Sequence, residues 1–278
     1  MMKLFHEVSQ QCSQAVTEKY STSFNSAINL LHPHLRKPIH NIYGFVRFAD
    51  EIVDTFHQHQ KEELLAEFRK ETYTALERGI SLNPILHSFQ ITVKEYNISL
   101  DLIEAFFTSM EMDLSKTNYN SEGYKDYIYG SAEVVGLMCL YVFCEGDTIK
   151  YDELKPSAQA LGAAFQKVNF LRDVKADYQQ LNRSYFPGVD FSNFTQHNKK
   201  QIEEDIAADF NNAYKGILNL PVKARFGVYV AYKYYLSLFK KIKRTSPADI
   251  TERRIRIPNY GKALIVAKAG LRSQFNLF

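Results

Sequence analysis

The sequence predicts an all-α protein, for three reasons. Apolar residues recur at helical spacing (i, i+3, i+4) over most of its 278 residues. The residues that break helices are scarce, with only 12 Gly and 8 Pro in the whole chain. The alternation of apolar and polar residues that marks a half-buried strand is rare. Because no linker or internal repeat divides the chain, residues 1–278 are predicted to form a single helical domain.

The clearest helical segments follow one another along the chain. KEELLAEFRKETYTALERG carries an apolar stripe that includes Leu65 and Phe68, and Gly79 is typical of a helix C-cap. ISLDLIEAFFTSMEMDL repeats the pattern, with Ser99 as its N-cap. KPSAQALGAAFQKVNFLRDVKADYQQ predicts one long helix with Pro156 in its first turn. KKQIEEDIAADFNNAYKGIL and PVKARFGVYVAYKYYLSLFKKIKR predict two more helices.

Loops are expected where this spacing stops. They fall near residues 82–84, 116–123, 145–156, 183–198 and 245–260. Together with the segments between them, they predict nine to twelve helices in all.

Composition argues against several classes of protein. A net charge of +3 does not by itself indicate nucleic acid, and no nucleic-acid partner is expected. Three cysteines without a CxxC pair indicate a reducing compartment rather than a disulfide framework. The longest apolar run, VVGLMCLYVF, is too short for a bilayer-spanning helix, which needs about 20 residues. The protein is therefore expected in the cytoplasm, and peripheral contact with the inner face of the membrane stays open.

Two pairs of aspartates share one spacing. RFADEIVDTF contains Asp50 and Asp54, and NFLRDVKADY contains Asp173 and Asp177. Residues four apart lie on one helix face, where like charges destabilise a helix by about 0.2–0.5 kcal/mol. One such pair usually marks a solvated face, but two pairs in apolar surroundings indicate a shared site. Converging carboxylates need cations, and Mg²⁺ with a diphosphate ligand meets that need.

Four motifs are spread over nearly the whole chain. They are YSTSFNSAINLLHPHLRKPIHNIYGFVRFADEIVD (20–54), YIYGSAEVVGLM (127–138), LGAAFQKVNFLRDVKAD (161–177) and RSYFP (183–187). In this order they resemble the signatures of the squalene/phytoene synthase family. The resemblance implies the all-helical isoprenoid synthase bundle around a central cavity, and head-to-head condensation of two prenyl diphosphates.

The resemblance also implies roles for individual residues. The Mg²⁺ ions, or Mn²⁺ in their place, would be held by Asp50, Asp54, Asn169, Asp173 and Asp177. The prenyl diphosphates would be bound by Ser23, Phe24, Arg47, Gln166, Asn169, Arg172 and Arg183. The catalytic set would comprise Tyr127, Arg47, Asp50, Asp54, Asp173 and Asp177.

Some of these residues also have an ordinary structural interpretation. Arg47 lies three residues before Asp50, so it fits a diphosphate contact or an intrahelical ion pair with Asp50 or Glu51. Glu51 itself stands where the family often has a second Asp, which keeps the charge. Arg172 fits a diphosphate contact or a surface charge.

Other residues bear on the prenyl pocket. Aromatic rings stabilise cations, and the candidates are Phe24, Phe48, Tyr127 and Phe165. Gly136 and Gly162 each cost a helix about 1 kcal/mol relative to Ala, which fits close approach of either a substrate chain or another helix. Glu133 departs from the Val-Ala-Gly that is usual in the family, and it adds bulk and charge beside the expected cavity.

Two groups of charged or titratable residues stand outside these motifs. The basic segment KKIKRTSPADITERRIRIP fits a solvated surface, a diphosphate-binding arginine over the mouth of the site, or contact with anionic lipid. Five histidines lack the spacing of a zinc site and are predicted to lie on the surface: His32, His34, His40, His57 and His59.

The favoured activity is synthesis of 15-cis-phytoene from two geranylgeranyl diphosphates through a cyclopropylcarbinyl diphosphate, in carotenoid biosynthesis. No NADPH is expected, because phytoene forms by loss of a proton. The alternative is squalene or dehydrosqualene from farnesyl diphosphate. A non-catalytic binding or assembly protein is less favoured, because both aspartate pairs are present.

Overall fold

The computed structural model describes residues 2–115, 118–179 and 183–274. Thirteen α-helices lie in this part of the chain: α1 (Met2–Tyr20), α2 (Thr22–Ile28), α3 (Pro33–Thr55), α4 (Lys61–Arg78), α5 (Pro84–Tyr96), α6 (Leu100–Ser115), α7 (Ser121–Ile128), α8 (Val134–Cys144), α9 (Thr148–Gln179), α10 (Gln196–Asn219), α11 (Val222–Lys243), α12 (Pro247–Glu252) and α13 (Asn259–Gln274). A π-helical turn, Tyr129–Glu133, joins α7 to α8, and a 3₁₀ turn, Phe191–Asn193, precedes α10. The described residues form no strand, so the predicted all-α fold is confirmed.

Two predicted helix caps are present. Gly79 follows α4 with a φ of 74°, in the left-handed conformation that glycine adopts without steric cost. At the start of α6, the Ser99 hydroxyl accepts a hydrogen bond from the backbone N–H of Asp101 at 3.3 Å. Both predictions are therefore confirmed.

The loop predicted near residues 145–156 is wrong beyond residue 147. Helix α9 already begins at Thr148, so Pro156 lies inside the helix rather than in its first turn. The early start buries Tyr151 and Leu154. Burying a large apolar side chain contributes about 1.5–3 kcal/mol, which offsets the ~3 kcal/mol cost of a proline in a helix interior.

The number of helices also exceeds the predicted nine to twelve. One short helix, α12, forms inside the stretch 245–260 that is predicted to be a loop. The Ser246 hydroxyl accepts a hydrogen bond from the backbone N–H of Asp249 at 3.1 Å and caps this helix. A single capped turn of this kind leaves too short an apolar pattern to be recognised by periodicity.

Aromatic packing in the core fixes the position of α3. Phe45 stacks on Phe89 of α5 with ring centroids 3.9 Å apart. Its ring also lies 5.8 Å from Phe68 of α4, and 5.3 Å and 5.6 Å from Phe106 and Phe107 of α6. Buried aromatic pairs of this kind contribute about 0.5–1.5 kcal/mol each beyond the area they bury. The helix that carries the first aspartate pair is thus held by three neighbours.

One histidine contradicts the predicted surface location. His40 is buried, whereas His32, His34, His57 and His59 are exposed as predicted. Helices α1 and α5 both pack on α3, and the neighbours of His40 on either side, Ile39 and Asn41, are buried with it. Burial lowers the pKa of His40 to about 4, so the ring is neutral at pH 7.

One continuous helical stretch, Ser121–Cys144, is long and apolar enough to cross a bilayer. It comprises α7, the π-helical turn and α8. Half of the residues in its most apolar window are buried inside the protein. The core helix of a soluble protein has the same properties, so this is weak evidence for a membrane span.

Candidate active site

A cavity of about 480 Å³ lies between α2, α3, α8, α9, α10 and α11. Its polar end, here called the mouth, is lined by Arg47 and Asp50 of α3 and by Gln166, Asn169 and Arg172 of α9. The walls beyond the mouth are apolar, with Phe24, Ile42, Val135, Leu140, Leu161 and Phe165 among their residues. A cavity with one charged end and a long apolar body suits a ligand with a charged head and a hydrocarbon tail.

The opposite end of the cavity, here called the foot, is lined by apolar side chains. Leu31 lies there after α2, Phe143 near the end of α8, and Leu220 after α10. Helices α3, α9 and α11 begin near the foot and run toward the mouth, whereas α2, α8 and α10 run the other way. The cavity therefore follows the axis of the bundle.

The two aspartate pairs lie within electrostatic range of each other, and Asp50 is the one of the four that lines the cavity. Burial, and then the negative charge of Asp54, raises the pKa of Asp50 to about 8. Burial, followed by the charges of Asp173 and Asp54, raises the pKa of Asp177 to about 7. Since Asp54 is on α3 and Asp177 on α9, the repulsion acts between the two motifs. The structure thus brings together the two faces that the sequence predicts to converge.

Arginines pair with three of these four aspartates, namely Asp50, Asp54 and Asp173. Arg183 donates to Asp54 Oδ1 at 3.1 Å from its Nη1. Arg172 donates to Asp173 Oδ1 at 3.0 Å, and Arg254 Nε lies 2.8 Å from the same oxygen. Arg254 belongs to the basic segment KKIKRTSPADITERRIRIP, and the structure places it beside Asp173 and in the lining of the cavity.

The predicted intrahelical ion pair of Arg47 is confirmed, and its contact with diphosphate stays a prediction. Arg47 pairs with Glu51, and its Nη1 lies 3.9 Å from Asp50 Oδ2. It also lines the mouth, with its guanidinium carbon 4.5 Å from the centre of the Tyr20 ring. Glu51 is therefore the partner of Arg47 and is only 14% exposed.

The chemistry of the donor set fits a divalent cation. Among the described residues, no three His, Cys, Asp or Glu side chains lie close enough to share one ion as they stand. Burial and the neighbouring carboxylates nevertheless raise the pKa values of Asp50 and Asp177, so these groups are costly to ionise unless a cation lies beside them. Carboxylate oxygens and an amide oxygen such as that of Asn169 are the ligands that Mg²⁺ prefers.

Sequence reasoning missed a buried carboxylate behind the mouth. Asp113 of α6 is buried and accepts a hydrogen bond from the Tyr127 hydroxyl at 2.7 Å. Arg183 donates to the Asp113 backbone oxygen at 2.7 Å from Nη2, and its other terminal nitrogen reaches Asp54. Burial raises the pKa of Asp113 to about 7. Its position three residues after Met110, on the apolar stripe of α6, is a sequence signal that could have found it.

Tyr127 does not line the cavity. It lies behind the mouth with Asp113 and Arg183, and these three residues are here called the second layer. Tyr127 is buried, with its ring 5.2 Å from that of Tyr185 and 6.0 Å from that of Phe170. Through Asp113 and Arg183 it is connected to Asp54. Its predicted catalytic role stays a prediction, and this geometry allows it to act only through other residues.

An aromatic wall lies directly below the mouth. Phe165 stacks on Tyr235 of α11 with ring centroids 3.9 Å apart, and Phe24 lies 5.7 Å from Tyr235. The Tyr235 hydroxyl donates to Asn169 Oδ1 at 3.3 Å, which orients the amide at the mouth. Phe48, by contrast, is 36% exposed and is not among the residues that line the cavity.

Of the two departures from Val-Ala-Gly that precede α8, Ser131 lines the cavity and Glu133, contrary to the prediction that it adds bulk there, does not. Glu133 does not line the cavity, and its carboxylate accepts a hydrogen bond from Gln159 at 2.9 Å. The neighbouring Ser131 does line it and accepts a hydrogen bond from Gln166 at 3.2 Å. A Cβ at Gly162 would lie 2.6 Å from the backbone oxygen of Ala132, so close packing of the π-helical turn on α9 already requires this glycine.

A second polar cavity, of about 440 Å³, adjoins the mouth. Ser23 lines this cavity, as do Arg172, Arg254, Arg256 and Lys262. Four cationic side chains in one concave surface suit an anionic group. Ser23 is thus separated from Phe24, which lines the main cavity, although the two are adjacent in sequence.

Comparisons with known proteins identify relatives over most of the chain. The family model described as squalene/phytoene synthase matches residues 17–261. The 4,4'-diapophytoene synthase of Staphylococcus haemolyticus is 28% identical over 75% of this chain and 72% of its own. The phytoene synthase of Arthrospira platensis is 26% identical over 96% of this chain and 94% of its own.

Solved structures share the fold at lower identity. A dehydrosqualene synthase in complex with ligand superposes with a TM-score of 0.82 over 98% of both chains, at 17% identity. The squalene synthase HpnC from Alicyclobacillus acidocaldarius gives a TM-score of 0.76 over 86% of this chain and 94% of its own, at 19% identity. The predicted isoprenoid synthase bundle is confirmed by these likenesses.

Proposed function

Because the chain belongs to the squalene/phytoene synthase family, whose members are prenyltransferase-type enzymes, we propose that it joins two molecules of geranylgeranyl diphosphate head to head to give phytoene. Head-to-head condensation of prenyl diphosphates is the activity of the family. The more specific part of the proposal is that each substrate has a chain of twenty carbons. The depth of the apolar cavity supports this part.

Two helices give the same figure for that depth. The apolar part runs from Gln166 to Leu154 on α9, and from Ser131 in the π-helical turn to Phe143 on α8, twelve positions in each case. At 1.5 Å per residue, twelve positions span about 18 Å. A carbon chain advances about 1.25 Å per bond, so an extended geranylgeranyl chain measures about 19 Å and a farnesyl chain about 14 Å. The depth therefore supports the longer substrate.

The residues at the mouth would act on the diphosphate. Arg47, Arg172 and Arg254 carry positive charge where the leaving group gathers negative charge, which lowers the barrier to breaking its bond to the allylic carbon. Asp50, Asp54, Asp173, Asp177 and Asn169 would hold Mg²⁺. When bound, Mg²⁺ supplies Lewis-acid neutralisation of the diphosphate oxygens.

The residues below the mouth would act on the cation. The rings of Phe24, Phe165 and Tyr235 lie where an allylic carbon would enter the apolar body, and aromatic faces stabilise cations by about 0.5–2 kcal/mol each. The apolar walls exclude water, which would otherwise capture the cation as an alcohol. With no hydride donor in the proposed reaction, a proton is lost and NADPH is not needed.

The experiment is a product analysis with the purified protein. Each of geranylgeranyl and farnesyl diphosphate is incubated with it and Mg²⁺, with and without NADPH, and the extracted hydrocarbon is identified by mass spectrometry. We expect phytoene from geranylgeranyl diphosphate, no effect of NADPH, and loss of turnover in excess EDTA. An Asp173→Asn variant that folds as the parent should be inactive, and full activity of that variant contradicts the proposed role of the second motif.

A separate observation supports the alternative function, which is condensation of farnesyl diphosphate. The 4,4'-diapophytoene synthase is the relative with 28% identity, and the structure with a TM-score of 0.82 is a dehydrosqualene synthase. Formation of a thirty-carbon hydrocarbon from farnesyl diphosphate, with geranylgeranyl diphosphate left unconsumed, would establish it in place of phytoene synthesis.

A further inference from the structure

Helix α13 presents an apolar face to solvent. Tyr260, Leu264 and Leu271 are 80%, 53% and 59% exposed. Together with Ala267, which is also exposed, they stand at positions i, i+4, i+7 and i+11, so they lie on one side of the helix. We call these four residues the outer stripe.

The opposite side of α13 is already covered by protein. The helix packs on α11, Ala269 is buried in the core, and Ile265 and Val266 pack against that core. A helix that is apolar on both sides is normally buried on both. The outer stripe therefore has the composition of a surface that something outside the described chain covers.

The segment around the stripe concentrates positive charge. Residues 240–271 contain nine Lys or Arg and only two acidic residues, Asp249 and Glu252. The whole chain has a net charge of only +3, so the rest of the molecule is net negative. A molecule with this charge distribution turns the segment toward an anionic surface.

The candidate active site and the local ion pairs do not account for most of these cations. Arg253 pairs with Asp249 at 3.1 Å, and Arg254 with Asp173 at 2.8 Å. Five exposed cations have no carboxylate partner among the described residues: Lys240, Lys243, Arg244, Arg256 and Lys268. Of these five, only Arg256 lines either cavity. The other four are free to meet an anionic partner.

Contacts place the stripe next to the cations and the mouth. Lys241 Nζ donates to the backbone oxygen of Arg256 at 2.6 Å, so the cationic end of α11 lies beside the start of α13. Lys268 follows Leu264 by one helical turn and borders the stripe. In the first turn of α13, Lys262 lines the second cavity, which adjoins the mouth. The outer stripe therefore begins near the mouth.

We propose that α13 rests on an anionic lipid bilayer, with the outer stripe at the boundary between headgroups and acyl chains and the cations on the lipid phosphates. A bilayer matches both features, because its anionic headgroups attract lysine and arginine and the layer beneath them takes up apolar side chains. The mouth then faces the membrane.

Other partners match only one of the two features. In a two-fold dimer the same patch meets itself, so two strongly positive segments would oppose each other. A nucleic acid or an acidic peptide matches the charge but offers no apolar surface to Leu264 and Leu271. The combination of charge and apolar stripe favours the bilayer.

This orientation suits the substrate of the proposed function. A prenyl diphosphate keeps its chain among the lipids and its diphosphate at the headgroups, so it reaches a membrane-facing mouth without its chain crossing water. Uptake of substrate from the bilayer rests on the proposed function, whereas binding of α13 to the bilayer does not.

The test measures binding of the full chain to vesicles in the absence of substrate. The purified protein is mixed with vesicles of phosphatidylcholine, with or without phosphatidylglycerol, and the bound fraction is read by flotation. The double variant Leu264→Ser with Leu271→Ser removes the stripe. The matched control, Leu82→Ser with Leu100→Ser, removes two leucines that are 93% and 51% exposed and that line neither cavity.

The parent should bind vesicles with phosphatidylglycerol at least about tenfold more tightly than vesicles without it. This binding should be lost in about 1 M salt, where the screening length is about 3 Å. The stripe variant should bind about tenfold more weakly, and the control should bind as the parent does. Failure of the parent to bind, or equal binding by the stripe variant, overturns the proposal.

A second pair of variants tests the charge. Lys243→Gln with Arg244→Gln should weaken binding about thirtyfold, whereas Lys70→Gln with Lys155→Gln, exposed lysines of α4 and α9, should leave it unchanged. Equal weakening by both pairs overturns the assignment of this surface. Light scattering supplies a further check, because a dimer of the parent that the stripe variant does not form would assign the stripe to a second copy of the chain.

Turnover separates this proposal from the proposed function. The stripe variant should convert substrate held in phosphatidylglycerol vesicles more slowly than the parent, and substrate dispersed in detergent at the parental rate. If the parent binds vesicles but forms no hydrocarbon, the proposed function fails and the bilayer contact stands. If it forms hydrocarbon but does not bind vesicles, only the bilayer contact fails.

Discussion

Replacing Asp50 by Asn should make the protein more stable and inactive. The Asp50 carboxyl has a pKa raised from 3.8 to about 8, first by burial and then by the charge of Asp54. Between these two pH values the folded protein holds a proton that the unfolded chain has lost. Stability is therefore lost as pH rises through this window, and Asn, which has no charge, avoids that loss.

The magnitude follows from the size of the shift. At about 1.4 kcal/mol for each factor of ten, the full shift sets an upper limit near 6 kcal/mol above pH 8. The Asp50 side chain is 32% exposed, so water in the cavity reduces this cost, and about 2 kcal/mol is expected. For a domain of this size, that corresponds to a rise in Tm of about 4–8 °C.

The assay is thermal unfolding in buffer with EDTA, near pH 6 and near pH 8. The Tm advantage of Asp50→Asn over the parent should grow with pH, because the parent loses stability in this range. Asp126→Asn is the control, since Asp126 is an exposed residue of α7, and it should show no pH-dependent gain. A variant that is less stable than the parent at pH 8, or an advantage that does not change with pH, refutes the reasoning.

Three further substitutions test other parts of the site. Arg254→Gln removes the 2.8 Å contact with Asp173 and should raise KM for the diphosphate substrate about tenfold without changing Tm; an unchanged KM contradicts a role at the mouth. Tyr127→Phe removes the hydroxyl that donates to Asp113 and should cost about 1–2 kcal/mol in urea unfolding. Because Tyr127 does not line the cavity, kcat should fall less than about tenfold, and a loss of more than about a thousandfold would assign it to the chemistry. Glu133→Gln should leave the carbon number of the product unchanged, as read by gas chromatography, and a shorter or longer product would show that this departure shapes the pocket.

Most of the fold can be predicted from the sequence, because the patterns that indicate helices and their caps are local. The apolar stripe of α4, its C-cap Gly79 and the N-cap Ser99 depend on neighbours within a few residues, and all three are present. The start of α9 depends on burial of Tyr151 and Leu154 against other helices. Because Pro156 is typical of the first turn of a helix, the sequence predicts a start that is too late in the chain. His40 was misplaced for a similar reason, since the helices that cover it are distant in sequence.

In the candidate site, too, some residues are placed by local sequence patterns and others by contacts between distant segments. Periodicity alone places Asp50 and Asp54 on one face, and the resemblance to a known family connected them with the second pair. The contact of Arg254 with Asp173 spans 81 positions and depends on how the segment after α12 folds back. The second layer, in which Asp113 joins Tyr127 to Arg183, likewise forms only when three separate segments meet.

The most direct measurement offers the protein both substrates at once. Equal amounts of farnesyl and geranylgeranyl diphosphate are incubated with the enzyme and Mg²⁺, and the carbon number of the extracted hydrocarbon is read by mass spectrometry. An apolar cavity about 18 Å deep predicts a forty-carbon product as the main species. A product of thirty carbons as the main species contradicts the proposed substrate, and the absence of any hydrocarbon contradicts the proposed activity.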